Sequence, residues 1–274
     1  MTLKTRNNFI KVFLGVSLAS VLLCLLTFIA ALITHRIITP PNFRIPAILN
    51  HIPFAQQSFI ALMISFLVII LYVPVCFFLL LKFFENTQTT EIIFFTGFLI
   101  ACLAETARFI TICFGLWQSF SNMLIFAGNI VFFGRTLAPL SFLCAALLSD
   151  TAQRQDIERN YIIMLMVSIV FAVVIPMNTA RIASTGLVTE GFIILINILR
   201  FLLLVTAVVS FYITGIKKNS IEYKHLSSSS CLLLISYSIL VSSDNYLFLA
   251  LGTAGLITGT YRYLSSVHKL YMWS

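Results

Sequence analysis

Charge is the scarcest commodity in this chain: only 9% of its 274 residues are Asp, Glu, Lys or Arg. A soluble domain carries about a quarter, so a water-facing globule cannot be built from it. Acidic residues are rarer still, nine against seventeen Lys and Arg. The six cysteines, Cys24, Cys76, Cys102, Cys113, Cys144 and Cys231, all fall in apolar segments with no C-x-x-C pair. Neither a disulfide framework nor a metal site is indicated, because buried free cysteine behaves as a small hydrophobe. His35, His51, His225 and His268 lie outside the apolar cores, and none are paired at helical spacing. That argues against haem ligation within a bilayer and against an H-E-x-x-H metalloprotease. There is no P-loop and no G-x-S-x-G elbow. No lysine stands in the middle of an apolar run, so a retinal Schiff base has no attachment point. Glu105-Thr-Ala-Arg108 lacks the second acid and the histidines an intramembrane hydrolase would use. These absences lead us to expect no cofactor and no enzyme.

What is present is hydrocarbon-soluble sequence: 60% hydrophobic residues, 26 phenylalanines and a mean hydropathy of +1.04. Apolar runs near the ~20-residue spanning length recur from end to end. Nothing shows the ~10-residue alternation of a barrel, so the expected fold is an all-α polytopic membrane protein, a single helical domain over 1–274. The predicted spans are 12–34, 58–81, 92–117, 121–148, 161–178, 191–215, 227–243 and 246–264. A single helix over 227–264 would be about 57 Å long, far beyond a ~30 Å hydrocarbon core, and Ser242-Ser243-Asp244-Asn245 has turn composition. Eight spans follow, or seven if 227–264 is fused or re-entrant.

Charge placement supports eight. With the N-terminus cytoplasmic, Lys4, Arg6, Lys11, Lys82, Arg154, Arg159, Lys217, Lys218, Lys224, Arg262 and Lys269 fall inside, and only Arg36, Arg44 and Arg181 outside. Eleven against three is a strong inside bias; the first apolar run, Val12 to Thr34, exceeds the roughly 7–15 residues of a signal-peptide core and is read as an uncleaved helix, and together these point to a bacterial inner membrane. The net charge of +8 thus belongs to loops and lipid headgroups rather than to nucleic acid. The loop from His35 to Gln57 holds Pro40, Pro41, Pro46 and Pro53 and is expected outside as a stiff irregular segment. The loop 149–160 carries both charge signs and is expected to be helical inside. No segment is long enough for a soluble output domain, and no internal repeat is visible.

Four ionisable groups break the apolar runs: Glu105 and Arg108 in the third span, Arg135 in the fourth and Arg200 in the sixth. Each costs at least ~2.5 kcal/mol at membrane depth and marks an interior or watery face. Glu105 and Arg108 share a face at i,i+3, as do Asn197 and Arg200. All four can lie in one layer, central to outer, if these faces converge, and one carboxylate against three guanidiniums then leaves an excess of about two positive charges. Pro139 removes the helical partner of the Arg135 carbonyl, and with Gly134 it predicts a kink there. The candidate ligand-binding residues are therefore Arg108, Arg135, Arg200, Glu105, Asn197 and Asn129, with Asn129 also suited to an interhelical hydrogen bond. The alternative is a bare helix lock between Arg135 and Glu105.

Lesser marks have simpler expectations. Gly255-Leu-Ile-Thr-Gly259, with Gly252, is a small-residue seam for intramolecular packing ahead of homodimerisation. Pro74 and Pro176 are expected to kink the second and fifth spans. Trp117, Tyr261, Tyr263, Tyr271 and Trp273 read as interfacial anchors, and Asp244 as the cap of the last helix. The functional expectation is a non-enzymatic sensor, receptor or assembly factor whose bundle binds an anionic ligand or lipid headgroup. The expected partners are membrane lipids, an anionic small molecule or lipid phosphate, and a separate signalling or assembly protein. A small transporter or flippase for an anionic substrate is the alternative. A lipid-phosphate transferase would suit the basic residues but lacks a base.

Overall fold

The computed structural model describes residues 2–34, 56–87, 89–116, 122–149, 157–183, 185–186 and 188–272. The loop 35–55, with Arg36, Arg44 and its prolines, the segment 150–156 with Arg154, and Trp117 and Trp273 lie outside the described residues. The helices are α1 (Leu3–Ile33), α2 (Phe59–Phe84), α3 (Thr90–Ala104), α4 (Thr106–Cys113), α5 (Asn122–Leu147), α6 (Ile157–Val174), α7 (Ile193–Lys217), α8 (Ile221–Val241) and α9 (Tyr246–Met272). Helices α3 and α4 form one rod of 24 residues, Thr90–Cys113. At Glu105 the rod tightens, the Glu105 N–H bonding Cys102 O at 3.2 Å and the Arg108 N–H bonding Glu105 O at 3.1 Å. Bonds three residues back in mid-helix are 3₁₀ geometry.

Among the described residues, six rods are long and apolar enough to cross a membrane; α8 and α9, 21 and 27 residues long, are more polar. This is an all-α bundle of membrane-spanning type. The α3–α4 rod is its axis: 78% of its most apolar window is buried, against 22% for α1 and α6 and 11% for α7. The outward faces of α1, α6 and α7 carry bare Leu, Ile, Val and Phe, among them Val12, Val173 and Phe201. Such faces suit lipid, where tails are as apolar as the side chains and packing rather than water expulsion holds helices together.

The packing is correspondingly tight at small residues. A Cβ on Gly134 would lie 2.6 Å from Ala101 O and 2.7 Å from the Ala104 methyl, so α5 rests directly on α3. Gly252, Gly255 and Gly259 face Leu240, Ser236 and Leu233, so the seam on α9 packs against α8 of the same chain. Between α3, α5, α8 and α9, Phe98 meets Phe142 at 5.2 Å and Tyr237 at 5.6 Å, and Phe95 stacks on Tyr263 at 5.3 Å. Tyr263 is thus a core residue and not an interfacial anchor; Tyr261 is 75% exposed.

At the face holding the N-terminus, charged groups close helix ends. The buried Arg6 donates to the carbonyls of Phe84, Glu85 and Thr87 at the end of α2, and Lys218 Nζ donates to Ser149 O at 2.8 Å. Such carbonyls have no helical partner of their own. Also buried there is Glu91, which takes hydroxyl donors from Thr90, Tyr223 and Tyr271 at 3.0, 3.3 and 2.8 Å.

The opposite face departs from the sequence reading in two places. Pro176 does not kink a span: α6 ends at Val174, and Pro176 O accepts from Gly191 N at 2.8 Å at the neck of an antiparallel hairpin, β1 (Met177–Ile182) with β2 (Val188–Glu190). Asp244 does not cap α9; Asn245 does, its Oδ1 accepting from Phe248 N at 2.8 Å. Asp244 Oδ2 instead accepts from Gln57 Nε2 at 2.8 Å, and Ser58 N–H bonds Asp244 O at 2.7 Å, tying the start of α2 to the α8–α9 turn. Pro74 and Pro139 both lie inside continuous helices.

Candidate functional site

Glu105 sits where the α3–α4 rod tightens, and it is 1% exposed. Its Oε2 accepts from Arg108 Nη1 at 3.2 Å and its Oε1 from Arg135 Nε at 3.3 Å. One carboxylate therefore bridges α4 and α5 through two guanidiniums: the contact to Arg108 follows the i,i+3 spacing, and the contact to Arg135 is the one the helix-lock alternative named.

The three arginines have different surroundings. Arg108 is fully enclosed: Nε donates to Thr185 O at 3.0 Å, Nη1 also donates to Val241 O at 2.6 Å, and the guanidinium lies 4.5 Å from the Phe66 ring centre. It joins α4, the hairpin turn, the end of α8 and α2, while its Nη2 is buried without a partner among the described residues. Arg135 and Arg200 are each 19% exposed and line a cavity. Arg200 donates through Nη2 to Glu190 Oε1 at 2.7 Å and rests 5.0 Å from the Phe132 ring centre.

Glu190 was missed by the sequence reading, and it corrects the charge count. It is buried at the end of β2, just before α7. Three guanidiniums against Glu105 and Glu190 leave a surplus of one positive charge, not two. The only signal in the sequence was an acid close before a span that holds an unpaired arginine.

The cavity has a volume of about 470 Å³ and lies between α5, α7 and α8. Its polar lining is Arg135, Asn197, Arg200, Tyr237, Ser238 and Ser242, and its apolar wall includes Pro139, Phe201, Leu204 and Ile235. Two lining groups are buried with no partner among the described residues: Arg200 Nε and the Tyr237 hydroxyl. Buried donors are nearly always hydrogen-bonded, so two orphans on side chains that line one cavity single out this wall of the bundle. Arg200 stands two turns into α7, about 10 Å from its start, which sets the polar end in the half of the bundle away from the N-terminal face. Asn197 lines the cavity one turn before Arg200, whereas Asn129 lies outside it, with Oδ1 buried and without a partner among the described residues. The site residues thus divide: Arg135, Arg200 and Asn197 meet at the cavity, Glu105 and Arg108 brace it, and Asn129 is apart.

Guanidinium forks suit carboxylate or phosphate. The walls beyond them suit alkyl chain, and Phe201 and Ile235, 64% and 44% exposed, stand where the cavity meets the outer surface of the bundle. Among the described residues no cluster of three His, Cys, Asp or Glu could hold a metal ion. No family model, curated protein or solved structure matches the chain.

Proposed function

We propose that this chain is an eight-span protein of the bacterial inner membrane, N-terminus cytoplasmic. It acts without covalent chemistry as a sensor, receptor or assembly factor by binding an anionic group between α5, α7 and α8. Its ligand is an amphiphile with a carboxylate or phosphate head held by Arg135, Arg200 and Tyr237 and a tail along Phe201, Leu204 and Ile235. The observation that carries this reading is a cavity lined by Arg135 and Arg200 beside a net positive charge, with Arg200 Nε and Tyr237 Oη, on two of its lining residues, buried without a partner among the described residues. No described segment could serve as an output domain, so signalling or assembly falls to a separate protein.

The test is native mass spectrometry with lipid extraction on gently purified protein, comparing Arg135→Met, Arg200→Met and Arg108→Met. A charge-assisted hydrogen bond is worth about 1.5–3 kcal/mol. Arg135→Met and Arg200→Met should therefore fold and retain the anion roughly tenfold less or worse, while Arg108→Met, which removes a brace, should lose thermal stability. Equal loss of folding in all three, with no selective loss of the anion, would mean that the arginines are struts only.

Transport of the same anion is favoured by one observation: the central rod changes to 3₁₀ geometry at the carboxylate that holds Arg135. Interrupted helices carry substrate sites in transporters, although those folds are commonly built from repeats. Uptake of the identified anion into proteoliposomes distinguishes the two.

A further inference from the structure

A second concavity lies on the far side of the bundle, between α2 and α9, with a volume of about 560 Å³. Its walls are almost entirely apolar, with Val75, Leu79, Phe83, Ile257 and Leu264 among them. Its floor is closed to polar demand, because Tyr72 Oη and Thr260 Oγ1 bond each other at 2.6 Å. Along α9 the lining runs from Ile257 to Lys269, a rise of about 18 Å, close to half of a ~30 Å hydrocarbon core. The groove is therefore one leaflet deep.

Basic side chains are confined to one end. His268 and Lys269 line the groove at the N-terminal face, the His268 ring edge-on to Phe84 at 5.9 Å. Lys82 Nζ lies 5.7 Å from the ring centre of Phe83, a wall residue. Three acids are near: exposed Glu85, which follows α2, Glu222, close enough to Lys269 for their charges to interact, and buried Glu91, which takes the Tyr271 hydroxyl. Against them stand Arg6, whose guanidinium lies on the Glu85 carbonyl, and the two lysines. No acid lines the groove itself, whereas His268 and Lys269 do. This end is also at the face where the basic loops gather, and a cytoplasmic leaflet draws such residues to its anionic lipids.

We infer that the α2–α9 groove is a binding site for one anionic glycerophospholipid of the cytoplasmic leaflet. An acyl chain lies along Val75, Leu79 and Ile257, and the phosphate meets Lys82, His268 and Lys269. The site is separate from the arginine cavity, which lies across the bundle and in the other half of its depth.

The probe is phosphatidylglycerol against phosphatidylcholine of the same acyl chains, titrated into delipidated protein in detergent and read by native mass spectrometry. Wild-type protein should retain one phosphatidylglycerol at this groove in preference to phosphatidylcholine. Lys82→Gln with Lys269→Gln removes two exposed charges that make no hydrogen bond to a described residue, so the fold should persist. That variant should lose the preference by about tenfold or more, since each lysine near a surface contributes about 1 kcal/mol. Leu264→Trp, which fills the groove and leaves the charges, should displace both lipids. Arg135→Met with Arg200→Met should leave this second lipid in place. Equal retention of the two lipids by wild type overturns the proposal. So does an anionic preference that survives the lysine substitutions or disappears with the arginine pair.

Discussion

At the scale of single residues, Glu105 holds more of the site than any other group. It neutralises Arg108 and Arg135 together, and neither has another described carboxylate within bonding distance. Removing one member of a buried ion pair leaves the other charge uncompensated, at a cost of about 3–5 kcal/mol. Glu105→Gln should lower stability by at least that amount. Glu190→Gln frees one partly exposed guanidinium and should cost less, about 1–3 kcal/mol. Thermal unfolding in a fixed detergent checks the order; equal losses would mean that Glu105 does not carry both arginines. The Glu105–Arg108 pair was legible from its i,i+3 spacing. The partnership of Glu190 with Arg200, ten residues apart across the entry to α7, corresponds to no repeat of helix or strand.

At the scale of elements, hydropathy located every rod and misplaced only ends. The fifth span was expected to reach 178, but the chain leaves the helix after Val174, because Pro176 cannot continue it and its carbonyl turns to Gly191. The hairpin that follows presents Thr185 O to Arg108 and Glu190 to Arg200, so a loop completes the site. Small residues set the helix spacing. A side chain at Gly255 would collide with Ser236 Oγ, whereas one at Gly15 would meet nothing within 4 Å. Gly255→Leu should destabilise the α8–α9 pair by about 1–3 kcal/mol, with Gly15→Leu within about 0.5 kcal/mol of wild type. Urea or heat titration of the two variants side by side measures the difference; similar losses would remove α8 as the partner of this seam.

At the scale of the whole molecule, the termini of the described chain and the α2–α3 and α7–α8 turns share one face, while the end of α1, the start of α2, the hairpin and the α8–α9 turn share the other. Arg6 on the end of α2 and Lys218 on Ser149 stitch the first face; Gln57 on Asp244 stitches the second. The eight-span reading is tested with single cysteines in a background cleared of the six native ones. Ser242→Cys should react with an impermeant maleimide in intact cells, and Asn86→Cys and His225→Cys only after the membrane is opened. Labelling of Ser242→Cys only after opening would mean that α8 and α9 do not both span.

Composition and periodicity by themselves determined the membrane class, the positions of the rods and which of them carry buried charge, because hydropathy and helical spacing act over neighbouring residues. Tertiary structure alone decided that Arg108 braces while Arg135 and Arg200 face a cavity. It also decided that Tyr237 lines that cavity and that the surplus charge is one. Those outcomes depend on which loop folds over which helix end, and groups distant in the chain meet there only when the bundle closes.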